Sequence, residues 1–251
     1  MTLALITNDD GIDSPGLHEL ARAARKSGLD VVVAAPSREA SGSSASISAV
    51  AENDRIMMEE RHLSGLDDVK AFAVVGSPGL IALLATRGAF GDPPHLILSG
   101  INAGANAGHA ILHSGTVGAA FTGAVNGCRA MAVSLDIRGI NPNGRRHWES
   151  AGALVPQLVP MLEELPASTV LNVNVPDVPS ERVVGLRRAT LGGFGQVQMR
   201  IAERGIGFAR TALEEREVRH EPGTDMALLD QGFATVTPIA PMYEVPVQLA
   251  I

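Results

Sequence analysis

The chain has 251 residues, 45% of them hydrophobic, and a formal net charge of -7, which is enough apolar material for one large α/β domain and excludes global disorder. The acidic balance excludes a general phosphate-neutralising surface for nucleic acid, while a small phosphorylated ligand held by a metal and a few amides stays compatible with it. Cys128 is the single cysteine, so no intramolecular disulfide and no CxxC zinc site can form.

The first residues read as a strand, with no basic leader and no cleavage signal. No apolar run approaches the roughly 20 residues of a membrane span. The expectation is a cytoplasmic protein that binds neither membrane nor nucleic-acid duplex. Trp148 and Tyr243 are the only residues of their kind, so the core must come from Val, Leu, Ile and Ala. A base stacked between several aromatic rings is not expected.

Taken in order, Leu3–Thr7 is a short apolar run that predicts a buried strand. It ends in Asn8, Asp9 and Asp10, and Gly11 permits a sharp turn. Ser14 and Pro15 read as N-cap and first helical residue. Leu17, Leu20, Ala21 and Ala24 then mark one helix face, closed by Gly28. Asp30–Ala35 is a second buried strand, closed by Pro36, so the chain opens with a right-handed β-α-β crossover. Ser37–Ser48 is small, polar and serine-rich. Its composition suits a solvated linker, but it leaves a strand on the same sheet edge as the two aspartates, where a hydroxyl could join a metal shell. The charged stretch 50–69 reads as a surface hairpin. Lys70–Val75 is a strand, Ser77-Pro78 opens a short helix to Leu84, and His95–Leu98 is a strand ending in a small-residue loop, Ser99–Gly108. His113-Ser114-Gly115-Thr116 leads into a small-residue helix, and Ala130–Leu135 is a strand with Asp136 at its end.

The later chain is less regular. Ile140–Arg146 is a polar loop. Trp148–Leu165 predicts an amphipathic helix kinked at Pro156 and Pro160. Val170–Val175 is a strand ended by Pro176. Val183–Leu186, Phe194–Ile201 and Gly207–Thr211 predict antiparallel strands with glycine turns, with Gly192–Gly195 read as one turn. Pro222-Gly223-Thr224-Asp225 caps a short helix before a last strand, Phe233–Thr237. The pattern predicts an α/β fold that opens on a parallel crossover and closes with a β-rich region, either an arm or a cover over the sheet.

The chemistry gathers where strands end. Asp9 and Asp10 follow a strand in the crevice where open α/β sheets bind ligands. Adjacent carboxylates repel and raise each other's pKa, and a hard divalent cation relieves that repulsion. The competing reading is an Asp-rich turn that caps a helix. Ser114, Gly115 and Thr116 at a helix N-terminus offer free N–H groups, hydroxyls and a favourable dipole to an anion, against the plainer reading of a serine N-cap. There is no dinucleotide fingerprint, no Walker A motif and no G-x-S-x-G elbow, which removes dehydrogenase and serine-hydrolase readings.

Thr7–Gly16, Ser41-Gly42, Ser99-Gly100-Ile101-Asn102-Ala103-Gly104 with Asn106, and Ser114-Gly115-Thr116-Val117, in this order, resemble the SurE survival-protein family. Ala132–Leu135, Asn172-Val173-Asn174-Val175-Pro176 and Pro222–Asp225 extend the resemblance to about Pro238. It implies a Rossmann-like, mostly parallel sheet with helices on both faces and a C-terminal β-rich extension, and the activity of a metal-dependent 5'/3'-nucleotidase that hydrolyses nucleoside monophosphates. It also implies one divalent cation per subunit, Mg2+ or Mn2+, bound by Asp9, Asp10, Ser41 and Asn102. Asn106, Ser114, Gly115 and Thr116 would hold the phosphate, with Asp9 and Asp10 as catalytic residues. A single domain over 1–251, with about 182–251 as an extension, would assemble as a homodimer or homotetramer. The chain departs from the family pattern at Gly79-Leu80-Ile81, where a small residue, Asp and Cys are usual, and at His109 and Ala110, where acidic residues are frequent. A non-catalytic nucleotide or phosphate sensor on the same fold is the alternative. Water and an aspartyl nucleophile both remain open. His109 and His113 read first as surface or packing residues, and if a histidine rather than a metal-bound water protonates the departing oxygen, His113 is the better placed.

Overall fold

The computed structural model describes residues 1–49, 51–52, 55–139, 144–193, 197–215, 220–242 and 244. Ile140–Asn143 of the expected polar loop, Phe194–Gln196 at the head of a late strand, and Tyr243 lie outside the described residues.

Strand β1 (Leu3–Thr7) leads into helix α1 (Pro15–Lys26), where Pro15 fits the first turn because that position has no N–H bond to lose. Leu17, Leu20, Ala21 and Ala24 are buried along one face of α1, as their spacing predicts. β2 (Asp30–Pro36) pairs parallel with β1. In the charged stretch, β3 (Ala51–Glu52) pairs antiparallel with β4 (Arg55–Ile56). β5 (Met58–Arg61) lies antiparallel to β6 (Lys70–Val74) and forms an edge of the main sheet. Helix α2 (Pro78–Thr86), strand β7 (Leu96–Ala103), a 3-10 turn (Gly108–His113), helix α3 (Gly115–Val125) and strand β8 (Arg129–Asp136) follow.

The chain continues through α4 (Trp148–Gly152), α5 (Val155–Glu164), β9 (Val170–Pro176) and β10 (Leu186–Arg188). It ends with the hairpin β11 (Val197–Gly205) and β12 (Phe208–Glu215), helix α6 (Asp225–Leu229) and β13 (Ala234–Ile239). The main sheet has the order β10-β13-β9-β8-β7-β1-β2-β6-β5. From β1 the chain winds outward through β2 and β6, then returns to the other side of β1 and winds outward through β7, β8 and β9. The winding reverses between β1 and β7, and the crevice at that reversal is where this class of sheet binds ligands.

Strand alternation sends neighbouring residues into two cores. Ala4, Ile6, Leu96 and Leu98 pack on one face with Leu17, Leu20 of α1 and Val155, Leu158 of α5. Leu5 and Ile97 pack on the other with Ile81 of α2 and Val117, Ala120 of α3. Each fully buried Leu or Ile contributes roughly 1.5–3 kcal/mol from apolar burial. Helices on both faces are thus required by the nearly continuous apolar character of the central strands. Among the described residues, no helix is long and apolar enough to cross a membrane.

Three features differ from the sequence expectation. First, β7 continues through Ser99–Asn102, which composition assigns to a loop. Ile101 is fully buried, and the pairing with β8 shifts register between Ser99 and Asn102. Gly100 permits this, because a Cβ there would lie 2.1 Å from the Val133 carbonyl oxygen. Second, Trp148–Leu165 is two helices rather than one kinked helix. Pro156 falls in the first turn of α5, where its missing N–H costs nothing, and Pro160 sits inside the helix. Third, the late strands divide. β10 and β13 join the main sheet, β13 running antiparallel to β9, while β11 and β12 form a separate two-stranded ribbon.

Candidate active site

The turn after β1 is built by its own asparagine. Asn8 is fully buried, its amide donates to the Gly11 carbonyl at 3.1 Å, and its side-chain oxygen accepts from the Gly11 N–H at 3.1 Å. Gly11 adopts a φ of 100°, a region that other residues avoid. This brace directs Asp9 and Asp10 into the crevice between β1 and β7.

Asp9 faces the start of α3. The Thr116 hydroxyl donates to its Oδ1, and the Gly115 and Thr116 amides face the same carboxylate. Burial nevertheless dominates and pushes Asp9 above the usual carboxylate range. Asp10 accepts from the Ala103 N–H at 3.1 Å. Burial first, then the negative charge of Asp9, push Asp10 up to about 6, and Glu39 adds to that charge.

The remaining walls come from three loops. Asp9, Asp10, Glu39, Ser41, Gly42, Asn102, Ala103, Asn106, Ala110, His113 and Ser114 line one cavity of about 470 Å³. Asn102 donates its amide N–H to the Gly104 carbonyl at 2.8 Å, which leaves its side-chain oxygen for the cavity. The Ser41 hydroxyl donates to Glu39 at 2.7 Å. Asn106 donates its side-chain N–H to the Ser134 hydroxyl at 2.9 Å.

The structure therefore brings Asp9, Asp10, Ser41, Asn102, Asn106 and Ser114 to one cavity. Gly115 and Thr116 lie behind it. Thr116 is fully buried and its hydroxyl serves Asp9, because α3 packs on β7 and β8 with its first turn beside that carboxylate. Ser114 also acts as the N-cap of α3, accepting from Val117 N at 3.1 Å. Gly115 is required by space, since a Cβ would lie 2.7 Å from Asp9 Oδ2. His113 reaches the cavity wall, whereas His109 does not line it.

Sequence reasoning missed Glu39 and the Ala103 amide. Glu39 was legible in part, being the one acidic residue in the serine-rich stretch beside Ser41. The Ala103 amide carries no side-chain signal at all. Among the described residues no group of three or more His, Cys, Asp or Glu forms a metal cluster. The donors at this cavity are two carboxylates and neutral oxygens, a set that suits a hard divalent cation.

Fold and site together define a doubly wound α/β protein with an acidic, oxygen-lined ligand crevice at its switch point. Residues 4–196 match the family model described as Survival protein SurE, and the chain belongs to that family. It is 36% identical over 240 residues to a 5'-nucleotidase SurE of Stenotrophomonas maltophilia, covering 94% of this chain and 88% of the relative. A 5'-nucleotidase SurE of Actinobacillus succinogenes is 36% identical over 247 residues, covering 94% and 92%. The crystal structure of the SurE protein from Aquifex aeolicus superposes with a TM-score of 0.78 at 31% identity, over 97% of this chain and 95% of that one.

The raised pKa of Asp10 has a direct consequence for stability. The unfolded carboxyl titrates near 3.9, so between pH about 4 and about 6 the native state binds more protons than the unfolded one, and stability falls as pH rises. In metal-free protein, Asp10→Asn should melt above the parent at pH 7.5, with the gap closing by pH 4. A scan in which the variant melts lower at pH 7.5 would overturn this account.

Proposed function

We infer that this chain is a 5'-nucleotidase, a divalent-metal-dependent phosphomonoesterase acting on nucleoside monophosphates. The observation that carries the reading is the convergence of Asp9, Asp10, Asn102, Ser41, Asn106 and Ser114 on one open cavity, in a chain whose relatives are named 5'-nucleotidases. A phosphate sensor would gain nothing from two carboxylates facing its anion.

The carboxylate pair fits a cation. Burial raises both carboxyls, the charge of Asp9 raises Asp10 further, and both stand beside neutral oxygen donors. Asp9, Asp10, Asn102 and Ser41 would hold one Mg2+ or Mn2+, which when bound supplies positive charge beside the phosphoryl group and acidifies water. The chain's own residues then divide the remaining work. Asn106 and Ser114 bind and orient the phosphate. Thr116 and the amides at the start of α3 fix Asp9 in one rotamer. The Ala103 N–H holds Asp10. Glu39 holds the Ser41 hydroxyl proton, turning the serine lone pairs outward. Water attacks phosphorus and passes a proton to a carboxylate of the pair, while the bond to the nucleoside oxygen breaks. His113, at the cavity wall, protonates that oxygen.

Assembly belongs to the same reading. The β11–β12 ribbon exposes Ile201, Ile206 and Phe208, and such apolar surface needs a cover. Residues of the 182–251 region, this ribbon above all, mediate homodimer or homotetramer formation. Light scattering at micromolar concentration should give a dimer or larger species, and a monodisperse monomer would refute the assignment. The protein acts in the cytoplasm.

Two activity measurements test the chemistry. With Mn2+ and a nucleoside monophosphate, Asp9→Asn and Asp10→Asn should keep the fold and lose at least ~100-fold in phosphate release, because the cation supplies several kcal/mol of charge stabilisation. Parent-like rates in both variants would dismiss the mechanism. For His113→Ala, the loss should be larger on a nucleotide than on p-nitrophenyl phosphate, whose phenolate leaves without protonation. Equal losses on both would assign His113 to phosphate positioning instead.

A further inference from the structure

We propose that Asn172 and Asn174 are positioning residues that hold Asn106 against the substrate phosphate. The inference rests on the reading of the cavity as a phosphomonoesterase site. Both asparagines are fully buried on β9, two residues apart and so on one face of the strand. Their neighbours Leu171, Val173 and Val175 belong to the apolar core on the opposite face.

Among the described residues, their side-chain hydrogen bonds all go to a single residue. Asn174 Oδ1 accepts from the Asn106 N–H at 2.8 Å, and Asn174 Nδ2 donates to the Asn106 carbonyl at 2.9 Å. Asn172 Nδ2 donates to the same carbonyl at 2.8 Å. One side chain thus grips the donor and the acceptor of one residue, as a neighbouring strand would. The chain around Asn106 lies between β7 and the 3-10 turn, and has no ladder of its own. Asn106 is further fixed by Ser134 of β8, to which it donates one amide hydrogen, leaving the second for the cavity. Just beyond, the Gly108 N–H donates to Asp225 at 2.7 Å.

The arrangement is costly where it stands. Burying a side-chain amide is unfavourable unless it is fully paired, and Asn172 Oδ1 is buried with no partner among the described residues. A serine or valine at 172 would close the sheet with fewer polar atoms to satisfy. What the two asparagines add is a fixed main-chain position for Asn106, and with it a fixed direction for its amide. Asp9 and Asp10 are held instead by the start of α3 and by the Ala103 N–H, so the support of Asn106 is distinct from that of the acidic pair.

The test uses the full-length protein with Mn2+ and compares the parent with Asn174→Ala and Asn172→Ala. Inhibition by inorganic phosphate and the KM for a nucleoside monophosphate should both weaken by about tenfold or more in Asn174→Ala, which loses two contacts. Asn172→Ala, which loses one, should weaken both less, and it remains informative if the first variant does not fold. Mn2+ affinity by calorimetry should stay within about twofold of the parent, a result that general loosening of the sheet would not give. In an Asn106→Ala background, adding Asn172→Ala or Asn174→Ala should change phosphate inhibition by less than about twofold. Unchanged phosphate inhibition in both single variants, full additivity with Asn106→Ala, or a parallel fall in Mn2+ affinity would each overturn the inference. A parent that neither binds phosphate nor hydrolyses the monoester would instead sink the functional reading, and the inference with it.

Discussion

The structure turns on holding two carboxylates side by side in a partly dry crevice. Asp9 and Asp10 repel each other, and burial raises the cost of charging both. Several neighbouring groups answer that cost, while Glu39 adds to it. The Asn8 side chain locks the turn, the Thr116 hydroxyl and the first amides of α3 face Asp9, and the Ala103 N–H meets Asp10. The same contacts fix both carboxylates in one geometry.

The same constraint explains the small residues of α3 and of the loop above it. For α3 to bring its N-terminus to Asp9, it must lie close to both the sheet and the Ser41–Ser48 loop. A Cβ on Gly118 would lie 2.1 Å from the Ser44 carbonyl oxygen, and one on Gly123 would lie 2.4 Å from the Ile97 side chain. The Ser44 hydroxyl in turn donates to the Leu112 carbonyl at 2.7 Å, tying the serine-rich loop to the turn that carries His113. Glycine and alanine in this helix are therefore conditions of close packing. The Ser37–Ser48 stretch, linker-like in composition, becomes a wall of the cavity.

A division of labour runs across the sheet. The N-terminal half, β1 with β2 and the end of β7, supplies the proposed cation ligands. The C-terminal half, β8, β9 and α6, supports the loop that carries Asn106. The two meet along the β7–β8 pairing, where Asn102 lies opposite Ser134.

The sequence by itself determined the fold class, the order of the central strands' apolar runs and the position of the acidic turn. These are local properties: a short apolar run ended by Asn-Asp-Asp-Gly carries its meaning within ten residues. It also placed Asp9, Asp10, Asn102, Asn106, Ser41 and Ser114 at strand ends or helix starts, where a crevice must lie. Only the tertiary structure decided that Ser99–Asn102 belongs to β7, since the glycine that permits the irregular pairing with β8 looks like a loop residue in isolation. It alone turned Thr116 from the cavity toward Asp9, joined β13 to β9, and set Asn172 and Asn174 under Asn106. Those outcomes depend on contacts between residues 32 to 107 positions apart in the chain, and no local pattern encodes which distant partner a buried polar side chain will meet.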